Sequence, residues 1–358
     1  MPDEVLTEYQ RFLVRRIADG IRRALNQLEP ARIGRGSVDV PTQVFNRRWF
    51  LKPGTSNPNP FGGEDKVRMN PARGSPELLE PAGPTDPQVS FLTVQSRTGR
   101  PLALLANYSL HYVGGVPEGH VSADYFAAFA DRITLSLGAD RLDPPFVGIM
   151  SNGTSGDINN IDFRQKGKSL PPYAKMREVA DEVAGAIHKA YQEVDYLDWV
   201  PLAASRWELA LAVRKPTEEQ IRFARMILAK PVGTRPELPH ERDYAERVLQ
   251  LRETPDEVSV SLQAFQVGDL GIAAIPFEVF VETGLAIKKG SPFRQTFTIE
   301  LANGSYGYLP TPRHHALGGY ETWMGTSRVE VEASNKIERA MLEMFEGLKR
   351  GRVGREHP

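Results

Sequence analysis

The run Pro101-Leu102-Ala103-Leu104-Leu105-Ala106-Asn107-Tyr108-Ser109-Leu110 is apolar almost without a break. It is too short for a membrane span, and it lacks the alternation of a half-exposed strand. A strand of this kind is buried on both faces, so the rest of the chain must supply a layer on each side. Val89 to Gln95 reads as its hairpin partner across Ser96-Arg97-Thr98-Gly99, and Pro145 to Met150 as a short buried strand. Further strands are expected at Ser205 to Val213, Phe297 to Leu301, and in a hairpin of Val258 to Val267 with Leu270 to Ile275 turning at Gly268-Asp269. Helical patterns separate them: Ser122-Ala123-Asp124 onward to about Leu137, Tyr173 to Val194, Thr217 to Lys230, Pro239 to Arg252, about Val279 onward, and Glu332 to Lys349. The fold class is therefore α/β, with mixed β-sheets covered by helices.

Glu4 to Leu28 places Val5, Tyr9, Phe12, Leu13, Ile17, Ile21, Leu25 and Leu28 at helical spacing, with arginines and acids opposite. Such a helix needs a body to pack on, and it starts earlier than helices usually do in an α/β chain. Arg47 to Pro87 is rich in Pro, Gly and Asn, which forbids helix and central strand alike. No internal repeat and no break in composition argues for two domains. The reading is one catalytic-type domain over 1–350 and a basic tail over 351–358.

The balance of charge excludes whole classes of partner. Lys+Arg 44 against Asp+Glu 45 gives a net charge of -1, so no global basic field is available for nucleic acid. With Cys 0, disulfides and thiolate metal sites are impossible, and a metal must be held by His, carboxylate or Tyr oxygen. No stretch is apolar enough for a transmembrane segment, and the start shows no apolar core of an export signal.

Candidate chemistry gathers at strand ends followed by turns. His111 ends the apolar strand ahead of Gly114-Gly115, where a ligand or acid/base role competes with a His simply bonded to a loop. Glu278 follows Ile275-Pro276 at another strand end, either as a carboxylate awaiting a cation or as an acid at a helix start. The turn Ser155-Gly156-Asp157-Ile158-Asn159-Asn160 can donate hydrogen bonds to a developing oxyanion or be a plain Asx turn. Ser155 lacks the frame of a nucleophile elbow. Tyr308 and Tyr320 sit in Gly-bordered loops, where aromatics usually plug a cleft edge. The pair His314-His315, with His120, His240 and His357, reads as solvated surface.

In order, Leu-Ala-Asn-Tyr-Ser-Leu-His, Ser-Asn-Gly-Thr-Ser-Gly-Asp-Ile-Asn-Asn, Ile-Pro-Phe-Glu, Leu-Ala-Asn-Gly-Ser-Tyr-Gly-Tyr-Leu-Pro-Thr and Gly-Tyr-Glu resemble the catalytic domain of the neutral/alkaline non-lysosomal ceramidases. The resemblance runs from the first helix nearly to the end. It implies a zinc ion ligated by His111, Glu278 and Tyr308, with Tyr320 contacting the reacting amide. It also implies a lipid amide substrate and a family that is typically secreted or surface-bound, which leaves this chain's own compartment open.

Three departures qualify the resemblance. The family carries a further zinc-binding His in a Thr-His-Thr-His-Ser-x-Pro-Gly motif upstream of the helix matching Glu4 to Leu28. The present sequence contains no such motif, so the domain's first strands are expected to be lacking and zinc to bind weakly. In the family's Gly-Asp-x-Ser-Pro-Asn segment the serine is the proposed nucleophile; here Gly156-Asp157-Ile158-Asn159-Asn160 puts Asn159 in its place. The family's C-terminal immunoglobulin-like domain is also not contained in this sequence. The expected activity is zinc-dependent hydrolysis of an N-acyl amide, ceramide or another lipid amide or ester, by metal-activated water, with Asp157, Asn159 and Tyr320 at the reacting centre. The competing reading is a non-catalytic remnant that binds or supports.

Overall fold

The computed structural model describes residues 6–231 and 233–351. The expected Pro101–Leu110 strand forms as Pro101–Tyr108, an interior strand of a sheet ordered Ala31–Asp39, Gln88–Ser96, Pro101–Tyr108, Val147–Asn152. The first three strands pair antiparallel and the last joins parallel. That parallel pairing requires a crossover, supplied by the helix Asp124–Ser136. A second sheet repeats the plan: Leu202–Ala212, Glu257–Val267, Leu270–Ile275, Gln295–Glu300, again antiparallel, antiparallel, parallel, with Val281–Gly290 as the crossover.

Each sheet is covered on its outer face. Asp124–Ser136 and Ala174–Tyr191 bury Phe129, Ile133, Val179, Val183 and Ile187 against the first sheet. Val281–Gly290 and Ala333–Lys349 bury Ile287, Ile337, Met341 and Phe345 against the second. Between the sheets, Leu92 and Leu105 meet Phe265, Val267, Leu270, Ile272, Phe297 and Ile299. The result is four layers, helix, sheet, sheet, helix, held by apolar burial on both faces of each sheet. The two halves thus repeat in topology although they share no visible sequence repeat.

Two expectations are corrected, and one long strand is new. The first helix forms as Glu8–Asn26 with a Thr7–Gln10 capping box, yet it buries no residue; Tyr9, Phe12, Ile17, Ile21 and Leu25 all stand exposed. No described residue covers that face. The Pro-rich stretch, expected to hold no central strand, contains a small sheet of Arg48–Leu51 flanked by Val67–Met69 and Leu78–Pro81. The long edge strand Ala31–Asp39 was not expected at all. The basic tail over 351–358 lies, beyond Gly351, outside the described residues.

Candidate active site

The repeated topology accounts for where the candidate residues fall. His111 follows Pro101–Tyr108 and Glu278 follows Leu270–Ile275, which are equivalent strands of the two halves. The Ser155–Asn159 turn and the Asn303–Tyr308 loop likewise follow the equivalent parallel strands Val147–Asn152 and Gln295–Glu300. All four segments therefore leave the carboxyl ends of parallel-paired strands, where α/β sheets open crevices.

Glu278 and Tyr308 are cross-strand partners in a two-residue parallel pair, anchored by Glu278 N–H donating to Gly307 O at 3.0 Å. Adjacent parallel positions put both side chains on one face. Gly156 lies against this pair, and a Cβ there would come within 2.7 Å of Glu278 O, so only glycine fits. Glu278, Tyr308 and Tyr320 line one cleft of about 420 Å³, together with Arg247, Thr326 and Arg328. The Tyr320 ring stands edge-on to Tyr308 at 5.9 Å between centroids and makes a similar contact with Trp323.

Sequence reasoning missed the group that ties these residues together. Arg47, between the short strand Phe45–Asn46 and Arg48–Leu51, donates through Nη2 to Gly156 O at 2.7 Å and to the Tyr308 hydroxyl at 3.0 Å. Its Nε lies 3.4 Å from Glu321, and Arg48 holds the same carboxylate at 2.8 Å. Arg48 and Glu321 are fully buried. Buried charges require partners of this kind. Burial pulls the Arg47 guanidinium down, but Glu321 and Tyr308 more than offset it, leaving its pKa above the ordinary value. The available signal was the Arg47-Arg48 pair set between Phe45 and Trp49-Phe50, two cations with no acid nearby in sequence.

Electrostatics sets the protonation states. Burial, with Arg47 adding, brings His111 down to about 3, so its imidazole is neutral at ordinary pH. Its Nδ1 is buried without a hydrogen-bond partner. Burial raises Glu278 and Tyr308; Tyr308 and Arg47 pull Glu278 back, while Arg47 pulls and Glu278 pushes Tyr308. Tyr320 is likewise raised by burial and stays a phenol. His111 does not line the 420 Å³ cleft; its link to the group runs through the charge of Arg47.

The turn residues are held differently. Asp157 accepts from Asn46 Nδ2 and Val281 N–H, both at 2.9 Å, at the start of the helix Val281–Gly290; burial raises it to about 6. Asn159 donates through Nδ2 to Asn70 Oδ1 and accepts from Ile161 N–H, both at 2.9 Å, so both ends of its amide are engaged. The Ser155 hydroxyl donates to Glu300 at 2.6 Å. Glu300, a second residue missed, is buried at a strand end and also accepts from Asn152 Nδ2 and Val279 N–H; burial raises it to about 8. An acid closing an otherwise apolar strand was its only signal. His314 is fully buried against the Phe280 ring, with Nδ1 2.6 Å from Thr311 Oγ1, and His315 is half-buried with its Nδ1 out of solvent, which corrects the reading of the pair as solvated surface.

Among the described residues no group of three His, Asp or Glu could hold a metal ion, so a metal here depends on the Tyr308 oxygen. The donor types are ones that zinc takes, a neutral imidazole with an orphaned nitrogen, a carboxylate and a phenol oxygen, the last kept protonated by burial while Arg47 pulls the other way.

This arrangement, four layers with a polar crevice at matched strand ends, is a ceramidase-like fold. The chain is similar to the crystal structure of neutral ceramidase from Pseudomonas aeruginosa, with TM-score 0.64 and 15% identity, over 98% of this chain and 58% of that one. A structure of a ceramidase complexed with C2 matches equally, with TM-score 0.64 and 15% identity over 96% of this chain and 58% of that one. The chain thus spans less than two thirds of the length of either structure. No family model and no curated protein matches it.

Proposed function

We propose that this protein is a zinc-dependent hydrolase that cleaves an N-acyl amide, ceramide or another lipid amide or ester, by attack of activated water. The observation that carries the reading is the convergence of Glu278, Tyr308 and Tyr320 on one cleft, with Arg47 bridging Tyr308 to the Gly156 turn. His111, Glu278 and Tyr308 are the residues to hold zinc, whose chemistry is to polarise the scissile carbonyl and acidify water. Arg47 offsets part of the burial that keeps Tyr308 a phenol, and so favours its oxygen as a donor to the ion. Tyr320, held as a phenol, donates to the oxygen that gains charge. Asp157 and Asn159 are positioning residues: one fixes the helix Val281–Gly290, the other the turn beside Asn70. With Asn159 where the resembling family has serine, the reading takes direct water attack over an acyl-enzyme.

The test is hydrolysis of short-chain N-acyl amides, then ceramide, at saturating zinc. Turnover that disappears in Glu278→Gln supports the reading. No turnover on any substrate, with the fold intact, supports the non-catalytic remnant.

A further inference from the structure

A separate cleft of about 550 Å³ is walled by the Gly114-Gly115 loop, by Asn160-Ile161 and by the start of the helix Ala174–Tyr191. It is contiguous in the chain with the site: Val113 is two residues past His111, and Asn160 follows Asn159. We propose that this cleft is an anion subsite that receives an acidic group of the substrate, so that the amide hydrolysed here carries a carboxylate, phosphate or sulfonate. This rests on the hydrolase reading for the word substrate; the anion site itself does not.

Charge bookkeeping inside the cleft leaves an excess of cations. Of its acids, Asp162 is taken by Arg164, with Nε at 2.9 Å and Nη2 at 3.0 Å, and by Gln165 at 3.0 Å. Glu178 is taken by Lys175 at 2.7 Å. Arg73, Lys166 and Lys168 also line the cleft, and among the described residues none of them has an ion-pair or hydrogen-bond partner. Their proximity is built in. Gly74 N–H donates to Phe163 O at 2.8 Å, joining the two loops that carry them. A Cβ on Gly167 would lie 2.9 Å from Arg73 Nη1, and one on Gly74 would lie 2.9 Å from Lys166 Cγ, so each cation lies across the other loop's glycine. Like charges lining one cleft repel unless an anion enters.

A second feature points the same way. The helix Ala174–Tyr191 begins at this wall with no side-chain cap and no acid in its first turn. Ala174 N–H is taken by Pro171 O, and the remaining first-turn N–H groups and the helix dipole add positive potential to that of the side chains. Arg73 supplies a planar fork for a two-oxygen acid, and the lysines supply point charges.

The experiment uses inorganic phosphate as probe and the whole chain as receptor. Calorimetric titration is expected to show saturable one-site binding, weakened about tenfold in Arg73→Ala and again in Lys166→Ala, the loss of one charge-assisted contact each. Both side chains are exposed, and unchanged thermal unfolding verifies the fold. The second arm compares N-lauroylglycine with neutral N-lauroylethanolamine at saturating zinc. The acidic amide is expected to have the higher kcat/KM, the preference residing in KM and vanishing in Arg73→Ala. Saturable phosphate binding without turnover of either amide upholds the anion site and removes the hydrolase reading. No saturable binding, or binding unchanged in both variants, overturns the anion site; equal turnover of the two amides overturns its role in substrate choice and leaves the hydrolase reading standing.

Discussion

The Tyr308 hydroxyl accepts a hydrogen bond from Arg47 Nη2 at 3.0 Å across a separation of 261 residues. The same guanidinium holds Gly156 O at 2.7 Å and faces the buried Glu321 carboxylate. One side chain therefore joins the first small sheet, the turn after the strand of one half and the loop after the strand of the other. Two roles follow from it, one structural and one electrostatic, and they are separable by substitution.

Arg47→Met removes a buried cation and leaves Glu321 with Arg48 alone. Breaking a buried pair by deleting one partner costs about 3 to 5 kcal/mol, and the surviving Arg48 contact places this case near about 3. Arg47→Lys keeps the charge but cannot reach Gly156, Tyr308 and Glu321 together. Urea unfolding should show most of the stability restored in the lysine variant, while its turnover stays at least about tenfold below the parent, since one directed hydrogen bond to Tyr308 is lost. Equal activity in Arg47→Lys would remove Arg47 from the chemistry.

Acid sensitivity follows from His314. Its pKa falls from 6.5 to about 3 through burial, with the charge of Arg48 and Arg313 adding. The unfolded chain takes up its proton near 6.5, whereas the folded chain does so only near 3. The stability this group contributes is thus complete above 6.5 and is lost as pH falls toward 3, with a slope of up to about 1.4 kcal/mol per pH unit. His315, brought to about 3 by burial and Arg214, acts in the same direction. Unfolding midpoints between pH 7 and 5 should decline less steeply in His314→Leu; an unchanged slope would mean the ring is not held neutral.

Much of this architecture was legible where a pattern is local. Pro101–Tyr108 and Leu270–Ile275 announce themselves as apolar runs, and their ends at His111 and Glu278 follow from the same runs. Tyr308 and Tyr320 were legible through family resemblance alone, because an aromatic in a glycine-bordered loop has no periodicity to read. The Arg47, Arg48 and Glu321 network was not legible, since its members come from distant segments and only folding brings the charges together. His314 misled because Arg313 and His315 flank it with polarity, while the Phe280 ring that buries it comes from another element. The topological repeat left no sequence trace because each half conserves a plan of layers, which many apolar sequences satisfy.

Asn159 separates two accounts of the turn. Its amide is engaged at both ends, by Asn70 and by Ile161 N–H, so Asn159→Ala should loosen the turn and lower turnover by less than the roughly 10²- to 10³-fold of a lost oxyanion donor. Asn159→Ser retains an acceptor for Ile161 N–H and should be tolerated. Loss of all turnover in Ser155→Ala, with an acyl group trapped on Ser155, would replace water attack by a covalent mechanism.

The central claim is that His111, Glu278 and Tyr308 share one zinc ion. Three protein ligands including a phenol, whose reference pKa is about 10, make a weak site, so zinc should be lost on dialysis and must be supplied in excess. Anomalous scattering at the zinc edge from crystals soaked in zinc tests the claim most directly. The account predicts one peak within about 2.0 to 2.2 Å of a His111 ring nitrogen, a Glu278 oxygen and the Tyr308 oxygen, absent in Glu278→Gln. A peak on other residues, or none while His111 stays apart from Glu278, would contradict it.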